Sequence, residues 1–453
     1  MIIKIDNQTH LAPLTEIPSA VLNRIRARLT FPNPAYLEAE KRGFWTGNLE
    51  REIKGYWMGG GALVIPRGAT RQVVEIIQAA GLAYRVEDHR RTLGPVDFDF
   101  NGTLRDFQEE AVEAMASRDF GIMTAPTGSG KTVMALALIA QRRQPALVVV
   151  HTKELQSQWV ARIETFLGIP GLEVGIIGGG KMKVGDRITV ALVQSLYKCA
   201  SEVAPFIGHL VIDECHRAPS RTFTEAVTAF DCRYMTGLSA TPWRRDGLSR
   251  LIYWYIGDKV HEVDKGALVE AGHVLQADVI WRETSFSPTF DPSEEYSRML
   301  SELTQDPARN ALIAADVAQE AGSGGGVCLI LSDRKGHCQT LVDLLADRGI
   351  TAAMLTGDLS TRERQQVVED LNAGQVKVLV ATGQLIGEGF DCRALSTLFL
   401  ATPIKFNGRL LQYLGRVLRP APGKDKARVY DYIDAAGVLE NAARARAWVY
   451  GDE

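Results

Sequence analysis

The chain has 453 residues, of which 46% are hydrophobic and 23% charged, and its formal net charge is −3 at pH 7. This length is too great for one compact core and predicts three domains of ordinary globular composition. No apolar run reaches the roughly 20 residues of a membrane span, so we expect no membrane partner. The N-terminus lacks the plan of a secretory signal, which predicts a cytoplasmic protein, or a nuclear or host-cytoplasmic one if the source is eukaryotic or viral.

The six cysteines include no Cys-x-x-Cys pair. This spacing argues against a disulfide framework, a zinc ribbon and an iron–sulfur cluster. We expect core or surface thiols.

Residues 1–101 predict a small α+β module. The segment "SAVLNRIRARLTFPNPAYLEAEKRG" predicts a helix and a turn, and "GALVIPRGATRQVVEIIQAAGLAYRVED" predicts strand, turn, helix and strand. The module has 13 Lys and Arg against 11 Asp and Glu. This slight excess leaves two interpretations open, a solvated surface and a nucleic-acid-binding face.

Residues 102–262 and 263–453 each predict an α/β domain with a parallel sheet, because apolar strands alternate with helical patterns. The predicted strands are "FGIMTA", "ALVVVH", "RITVALV", "HLVID" and "YMTGLSA" in the first domain, and "VCLILS", "TAAML", "VKVLVAT", "LSTLFLAT" and "RVYDYID" in the second. The stretch from about Trp243 to Pro307 is irregular and predicts a linker and the edge of the second sheet. The segment "GVLENAARARAWVYGDE" predicts a terminal helix.

A glycine-rich turn joins strand to helix in "GIMTAPTGSGKTVMALALIA". Gly128 and Gly130 allow the backbone to approach phosphate oxygens, and the helix N-terminus adds positive charge. Lys131 is expected to reach the β- and γ-phosphates of ATP, and Thr132 to bind Mg²⁺. Ala125 occupies the first position, where the strict Walker A pattern has glycine.

The apolar run in "HLVIDECHRAP" ends in two carboxylates, Asp213 and Glu214. They are expected at the carboxyl edge of a parallel sheet, with Asp213 binding Mg²⁺ and Glu214 polarising the attacking water. Neighbouring strand residues point to opposite faces, so the turn must bring both toward the nucleotide. A zinc site that includes Cys215 and His216 is disfavoured because four consecutive residues cannot easily close a tetrahedron. We expect Cys215 to pack in the core and His216 to be a coupling or a structural residue.

Further segments complete a pattern that resembles the superfamily 2 helicases. The matching segments, in the order of that family, are "LRDFQEEAV", "APTGSGKT", "VVVHTKELQSQW", "VALVQSL", "VIDECH" (a DECH box), "LSATPWRRDG", "CLILSDRKGHCQTL", "VLVATGQLIGEGFDC" and "QYLGRVLRP". Within the superfamily, the forms of motifs II, III and VI are most similar to XPB-type repair helicases and phage UvsW-type branch-migration helicases. The resemblance covers about Leu104 to Pro420 and implies two tandem RecA-like domains preceded by the small α+β module.

The resemblance also implies a role for each matching position. Implied nucleotide contacts are Arg105 and Gln108 for adenine, then Thr127, Gly128, Ser129, Gly130, Lys131 and Thr132, and Gly387, Glu388, Gly389 and Asp391 from the second domain. Implied catalytic residues are Lys131, Asp213, Glu214, Gln412, Arg416 and Arg419, the two arginines acting as fingers. Implied coupling residues are His216, Ser239 and Thr241. Implied DNA contacts, in loops at the opposite ends of the sheets, are Thr152, Lys153, Gln194, Ser195, Ser332, Arg334 and Thr382.

We therefore expect an ATP-dependent DNA helicase or translocase that uses ATP and Mg²⁺. It is expected to act as a monomer on single-stranded, duplex or branched DNA, in repair or recombination, with residues 1–101 engaging duplex. Two alternatives stay open. One is an RNA-remodelling ATPase, disfavoured by motifs II and VI, and the other is an ATP-switched nucleic-acid clamp that does not unwind.

Overall fold

A computed structural model of the chain describes residues 1–217, 221–240, 247–292, 294–323, 326–387, 390, 392, 394–404, 407–421, 424 and 426–450. Contacts divide the chain into two compact units. The first comprises Met1–Ala125 and Gly130–Val263, and the second comprises Pro126–Ser129 and Asp264–Glu453. Within the described ranges, no helix combines the length and the apolar character needed to cross a bilayer.

The first unit begins with a small α+β region. Its strands are β1 (Ile2–Ile5), β2 (Gln8–Ala12), β3 (Thr30–Pro32), β4 (Glu52–Lys54), β5 (Trp57–Gly59), β6 (Ala62–Pro66) and β7 (Arg85–Asp88), and its helices are α1 (Ser19–Arg28), α2 (Pro34–Lys41) and α3 (Thr70–Ala79). Five strands form one sheet in the order β5-β6-β2-β1-β7, and β3 pairs with β4. The predicted succession of strand, turn, helix and strand is confirmed by β6, α3 and β7.

The same unit continues with a larger α/β region. Its strands are β8 (Phe120–Thr124), β9 (Ala146–Val150), β10 (Gly175–Gly178), β11 (Lys181–Lys183), β12 (Ile188–Leu192), β13 (His209–Ile212), β14 (Tyr234–Ser239) and β15 (Lys259–Glu262). Its helices are α4 (Asp106–Ala116), α5 (Lys131–Arg142), α6 (Lys153–Leu167), α7 (Val193–Leu196), α8 (Ala200–Val203), α9 (Arg221–Thr228) and α10 (Ser249–Ile256).

The sheet of this region has the order β11-β10-β12-β9-β13-β14-β8-β15. Seven strands run parallel, and β11 at one edge is antiparallel to β10. The central strands β9, β12 and β13 are buried along their whole length, as expected for a sheet covered on both faces. All five predicted strands of the first α/β domain are confirmed.

The second unit has the helices α11 (Lys265–Glu270), α12 (Tyr296–Gln305), α13 (Pro307–Ser323), α14 (Lys335–Ala346), α15 (Thr361–Asn372), α16 (Gly383–Gly387), α17 (Asn407–Val417) and α18 (Gly437–Tyr450). Its strands are β16 (Ala277–Thr284), β17 (Val327–Ser332), β18 (Ala352–Leu355), β19 (Val378–Thr382), β20 (Leu395–Leu400) and β21 (Ala427–Asp434). They form a parallel sheet in the order β16-β21-β20-β17-β19-β18. The five predicted strands and the terminal helix are confirmed, and so is the predicted fold class.

The stretch from Trp243 to Pro307 differs in part from its prediction. It does supply β16, an edge strand of the second sheet, but it also contains the helices α10, α11 and α12. In α12 the buried residues Met299, Leu300 and Leu303 follow helical spacing. The aromatic run of α10 gives little helical signal by itself, and its packing against the N-terminal core decides its conformation.

Candidate nucleotide and nucleic-acid site

The loop after β8 requires glycine at two positions. Gly128 and Gly130 have φ angles of 93° and 90°, a left-handed conformation that costs glycine least. Gly130 precedes the first residue of α5, Lys131, whose Nζ donates a hydrogen bond of 3.1 Å to the carbonyl oxygen of Ala125. A strand, a left-handed glycine and a helix N-terminus therefore follow one another here, the arrangement that directs backbone N–H groups at an anion.

Three further side chains, two in the loop and one in the first turn of α5, differ in burial. Ser129 is buried, and its hydroxyl donates to the carbonyl oxygen of Pro126 at 2.7 Å. This bond tightens the turn. Thr132 is half-buried in the first turn of α5, and Thr127 is half-buried in the loop.

Gln108 lies beside the loop. Its side-chain oxygen accepts a hydrogen bond of 3.0 Å from the backbone N–H of Arg105, at the start of α4. A Cβ atom added to Gly130 would lie 2.5 Å from Nε2 of Gln108. A side chain at position 130 would therefore displace the amide of Gln108, and the φ of 90° disfavours one as well. Arg105 itself is exposed.

The two carboxylates follow β13 at the edge of the sheet. Asp213 is 8% exposed, and its Oδ1 accepts a hydrogen bond of 2.9 Å from the backbone N–H of Glu214. Glu214 adopts a φ of 47°, a left-handed conformation that is rare outside glycine. The change of backbone direction at Glu214 is the turn that the sequence argument required.

Burial and like charge raise the pKa of Asp213 to about 6. Burial is the larger cause and the neighbouring Glu214 carboxylate the second, whereas the indole of Trp159 and the ammonium of Lys131 lower the pKa. A positive group at this position would favour the ionised form of Asp213. The carboxylate is thus arranged to receive a cation.

A chain of polar contacts leads from Glu214 to the end of β14. Nδ1 of His216 lies 3.3 Å from Oε2 of Glu214 and 3.1 Å from the hydroxyl of Ser239. The backbone of Ser239 accepts a hydrogen bond of 3.0 Å from the N–H of Ala125, at the base of the glycine-rich loop. Glu214, His216 and Ser239 therefore meet, while Thr241 lies outside the described residues.

Cys215 belongs to the apolar core. It is fully buried among core residues of the first sheet, and burial raises the pKa of its thiol. Its predicted packing role is therefore confirmed. Among the residues that the structure describes, no group of three or more His, Cys, Asp and Glu side chains could hold a metal ion.

Trp159 is a site residue that the sequence reasoning missed. Its indole Nε1 donates a hydrogen bond of 2.8 Å to Oδ2 of Asp213. The residue ends the segment "VVVHTKELQSQW" quoted above, which gives no indication of this contact. The contact joins residues 54 positions apart, and sequence spacing gives no signal for it.

The residues of this site fit ATP and Mg²⁺. The left-handed glycines shape the turn that precedes the N-terminus of α5, where backbone N–H groups can bind phosphate, and Asp213 supplies a buried carboxylate. Among the described residues, no well-aligned hydrogen-bond donor meets Oε2 of Glu214. Nδ1 of His216 lies 3.3 Å from this oxygen without forming a hydrogen bond, and a water or cation near the oxygen would lower the cost of its burial.

The predicted DNA contacts of the first sheet are not at its opposite end. Thr152 and Lys153 follow β9, and Gln194 and Ser195 lie in α7 directly after β12. Because these strands are parallel to β13 and β8, all the loops emerge at one edge. The prediction of opposite ends was therefore wrong. Along this edge, the loops after β9 and β12 lie on one side of the carboxylates that follow β13. The glycine-rich loop after β8 lies on the other side.

The predicted DNA contacts of the second sheet differ from the structure in the same way, and Ser332 differs in a second way. Ser332 ends β17 and Thr382 ends β19, again at a single edge because the strands are parallel. Ser332 is 1% exposed, and its hydroxyl lies 2.9 Å from Nδ1 of His337 and accepts from the backbone N–H of Arg334. Its hydroxyl is thus used inside the unit and does not reach the surface. Arg334 is half-buried and donates to the hydroxyl of Ser297 at 3.0 Å.

The remaining predicted positions of the second unit are only partly described. Arg416 lies in the last turn of α17 and Arg419 just beyond it, and both are half-buried. The side chain of Gln412 lies outside the described residues, as do Glu388, Gly389 and Asp391, and Gly387 is the last residue of α16. Lys424 donates to the carbonyl oxygens of Val417 and Arg419, the latter at 2.8 Å. It therefore caps the end of α17.

Two families match the chain. Residues 101–244 match the family described as "Type III restriction enzyme, res subunit", and residues 308–421 match "Helicase conserved C-terminal domain". The first range contains the glycine-rich loop and the two carboxylates. The second range contains α17 with Arg416. A fragment of a putative HsdR subunit of a type I restriction enzyme from Vibrio vulnificus has a similar fold, with a TM-score of 0.59, 19% identity, and coverage of 76% of this chain and 66% of that one.

Several curated proteins are similar in sequence. The probable helicase D10 of Escherichia phage T5 is 28% identical over 83% of this chain and 81% of its own length. The DNA 3'-5' translocase XPB2 of Sulfurisphaera tokodaii is 38% identical over 35% of each chain. The ATP-dependent DNA helicase uvsW of Enterobacteria phage T4 is 24% identical over 75% of this chain and 70% of its own length.

Six relatives, XPB2 among them, are matched over 35% to 65% of their own length. The restriction-enzyme family and the helicase family nevertheless match successive parts of the chain, in the order that the motifs predict. The chain belongs to superfamily 2 of the helicases, motors that hydrolyse ATP and bind nucleic acid, and within it to the XPB and UvsW type.

Proposed function

We propose that the protein is an ATP-dependent DNA helicase or translocase that acts on duplex or branched DNA in repair or recombination. The observation that carries the proposal is the contact chain from Glu214 through His216 to Ser239, next to the glycine-rich loop. It joins the candidate water-activating group to the end of a neighbouring strand. The names of the XPB2 and uvsW relatives favour DNA as the substrate.

The glycine-rich loop and the first unit supply the hydrolytic groups. Lys131 and the loop N–H groups bind the phosphates, and Thr132 and Asp213 hold Mg²⁺. When bound, Mg²⁺ neutralises charge that develops on the phosphoryl oxygens. Glu214 orients the attacking water and accepts its proton. Gln108 and Arg105 recognise adenine, which selects ATP over other nucleoside triphosphates.

The second unit supplies positive charge to the transferred phosphoryl group. Arg416 and Arg419 act as arginine fingers, with Gln412 beside them on α17. The segment Gly387, Glu388, Gly389 and Asp391 contacts the nucleotide from the same unit. Because these groups come from a separate unit, hydrolysis depends on closure, which is how a motor of this kind links ATP turnover to movement.

The DNA strand lies across the edges where the parallel strands end. Thr152, Lys153, Gln194 and Ser195 contact its phosphates from the first unit, and Arg334 and Thr382 from the second. Lys153 is exposed at the first position of α6, and Gln194 is exposed in α7. Backbone phosphates carry no sequence information, so we expect binding that depends on structure and salt. Residues 1–101 engage the adjoining duplex.

A panel of nucleic acids tests the substrate class. ATP turnover and strand displacement are measured with single-stranded DNA, duplex DNA, forks, four-way junctions and RNA. We expect stimulation by DNA and displacement on forks or junctions. Stimulation by RNA alone would favour the RNA-remodelling alternative, and turnover without displacement or branch migration would favour the clamp.

Two variants test the assigned groups. Glu214→Gln is expected to lower ATP turnover by about 100-fold or more while nucleotide binding persists, because the base is lost and the shape is kept. The exposed Glu113 of α4 gives the matched control Glu113→Gln, expected to behave as wild type. Lys153→Ala is expected to weaken DNA binding about equally for all sequences and to reduce its salt dependence. Lys259→Ala, on the far edge strand β15, is the control.

A further inference from the structure

The buried contact between Trp159 and Asp213 joins helix α6 to the carboxylate edge of the sheet. Trp159 is 2% exposed and Asp213 8%, and the distance from Nε1 to Oδ2 is 2.8 Å. A buried indole N–H needs an acceptor, and a backbone carbonyl oxygen is sufficient for that purpose. Here the acceptor is a carboxylate, which makes a shorter and stronger charge-assisted hydrogen bond.

The position of Trp159 is fixed independently of Asp213. Thr152 caps the N-terminus of α6 by accepting from the backbone N–H of Leu155. One turn before Trp159, the buried amide of Gln156 donates to the carbonyl oxygens of Ile177 and Val190, at 3.2 and 2.9 Å. These bonds attach α6 to β10 and β12. The indole N–H therefore reaches Asp213 from a rigid support.

The carboxylate of Asp213 is held at both oxygens. Oδ1 accepts from the backbone N–H of Glu214 at 2.9 Å, and Oδ2 accepts from Trp159 at 2.8 Å. Two donors on different elements fix the plane of the carboxylate, and with it the direction of the lone pairs that remain. Donors of this kind set the orientation of a metal-binding group, and their loss typically lowers metal affinity about 10- to 100-fold.

We propose that Trp159 is a positioning residue that aligns Asp213 for the Mg²⁺ of bound nucleotide. This inference rests on the proposed role of Asp213 as the magnesium ligand, and it is independent of whether the nucleic acid is DNA or RNA. Trp159 does not touch nucleotide. It acts by restricting the rotation of the Asp213 side chain.

The test replaces the indole N–H without changing the shape of the ring. In Trp159→β-(3-benzothienyl)alanine a sulfur atom replaces the N–H group, and Trp159→Phe is the simpler genetic variant. Binding of a fluorescent ADP is titrated with Mg²⁺, in the absence of nucleic acid. The magnesium concentration for half-saturation is expected to rise about tenfold in both variants, while ADP binding in EDTA stays unchanged. Asp213→Asn shows the effect of losing the ligand charge itself.

Trp254→Phe is the matched control, because Trp254 is also 2% exposed but packs in the N-terminal core. It is expected to lower stability without changing the magnesium titration. The sulfur analogue removes one N–H group and keeps the ring, so it tests the proposal even if Trp159→Phe does not fold. A magnesium titration within about twofold of wild type for the sulfur analogue would overturn the proposal. Failure of the proposed function appears separately, in the nucleic-acid panel.

Discussion

Gly68 packs directly on the backbone of Tyr253. A Cβ atom added to Gly68 would lie 2.6 Å from the carbonyl oxygen of Tyr253, closer than such atoms approach in folded proteins. Tyr253 belongs to α10, which also places Trp254 in the N-terminal core. The N-terminal region and the first large sheet thus share part of one interior. Removing residues 1–101 would expose Trp254, so point variants are better probes of this region than a truncation.

Gly68→Ala is expected to destabilise the first unit by about 2–4 kcal/mol, because the obstructing atoms are backbone and cannot rotate away. Urea unfolding of the full chain gives the measurement. Gly94→Ala is the matched control, since a Cβ atom at Gly94 meets no heavy atom within 4 Å. Equal unfolding midpoints for the two variants would contradict the tight packing described here.

His216→Ala is expected to separate hydrolysis from strand movement. His216 lies between Glu214 and Ser239, at 3.3 and 3.1 Å, so its removal breaks the contact chain but leaves both carboxylates in place. We expect ATP turnover within about fivefold of wild type and DNA strand displacement reduced by about tenfold or more. His89→Ala, at an exposed side chain, is the control. Parallel losses in both assays would show that His216 serves hydrolysis alone.

Acid is expected to weaken the second unit through His337. Burial, then the charge of Arg309, lowers the pKa of His337 to about 3. In the neutral ring Nε2 lies 2.8 Å from Oδ1 of Asn310, and Nδ1 lies 2.9 Å from the hydroxyl of Ser332. The folded unit binds this proton less readily than the unfolded chain. The stability that neutral His337 contributes is therefore complete above about pH 6.5 and is lost as the pH falls toward about 3.

The measurement compares urea unfolding at about pH 7 and about pH 5. From the higher to the lower pH, the free energy of unfolding is expected to fall by about 1–2 kcal/mol more in the wild type than in His337→Gln. One unit of pH corresponds to about 1.4 kcal/mol for each proton. His89→Gln, at an exposed position, is expected to keep the wild-type slope. If the free energy of unfolding of His337→Gln depended on pH as that of the wild type does, the acid sensitivity would come from other groups.

Lys424→Met is expected to slow ATP hydrolysis with little effect on nucleotide binding. Lys424 holds the carbonyl oxygens of Val417 and Arg419, and its loss frees the end of α17 near the proposed arginine finger. A small displacement of a charged group in a phosphoryl-transfer site lowers kcat by about tenfold or more. Lys426→Met, at an exposed position nearby, is the control. Steady-state kinetics that show a higher KM and an unchanged kcat would contradict this role.

The sequence by itself determined the two parallel sheets, the glycine-rich loop and the carboxylate pair. These features are local. A continuous apolar strand indicates burial on both faces of a sheet, and a glycine-lysine turn predicts contact with phosphate. The spacing of the motifs then indicated the helicase superfamily, which the comparisons confirm.

Only the tertiary structure decided how distant segments meet. The parallel direction of β9, β12 and β13 places the predicted DNA-contact loops on the same edge as the carboxylates, whereas the sequence predicted them at the opposite end. The tertiary structure also brings Trp159 to Asp213, packs α10 into the N-terminal core and buries Ser332. Sequence patterns report which side chains are buried and in what period. They do not report the lateral order of strands or the partner of a buried polar group, because both depend on packing between residues far apart in the chain.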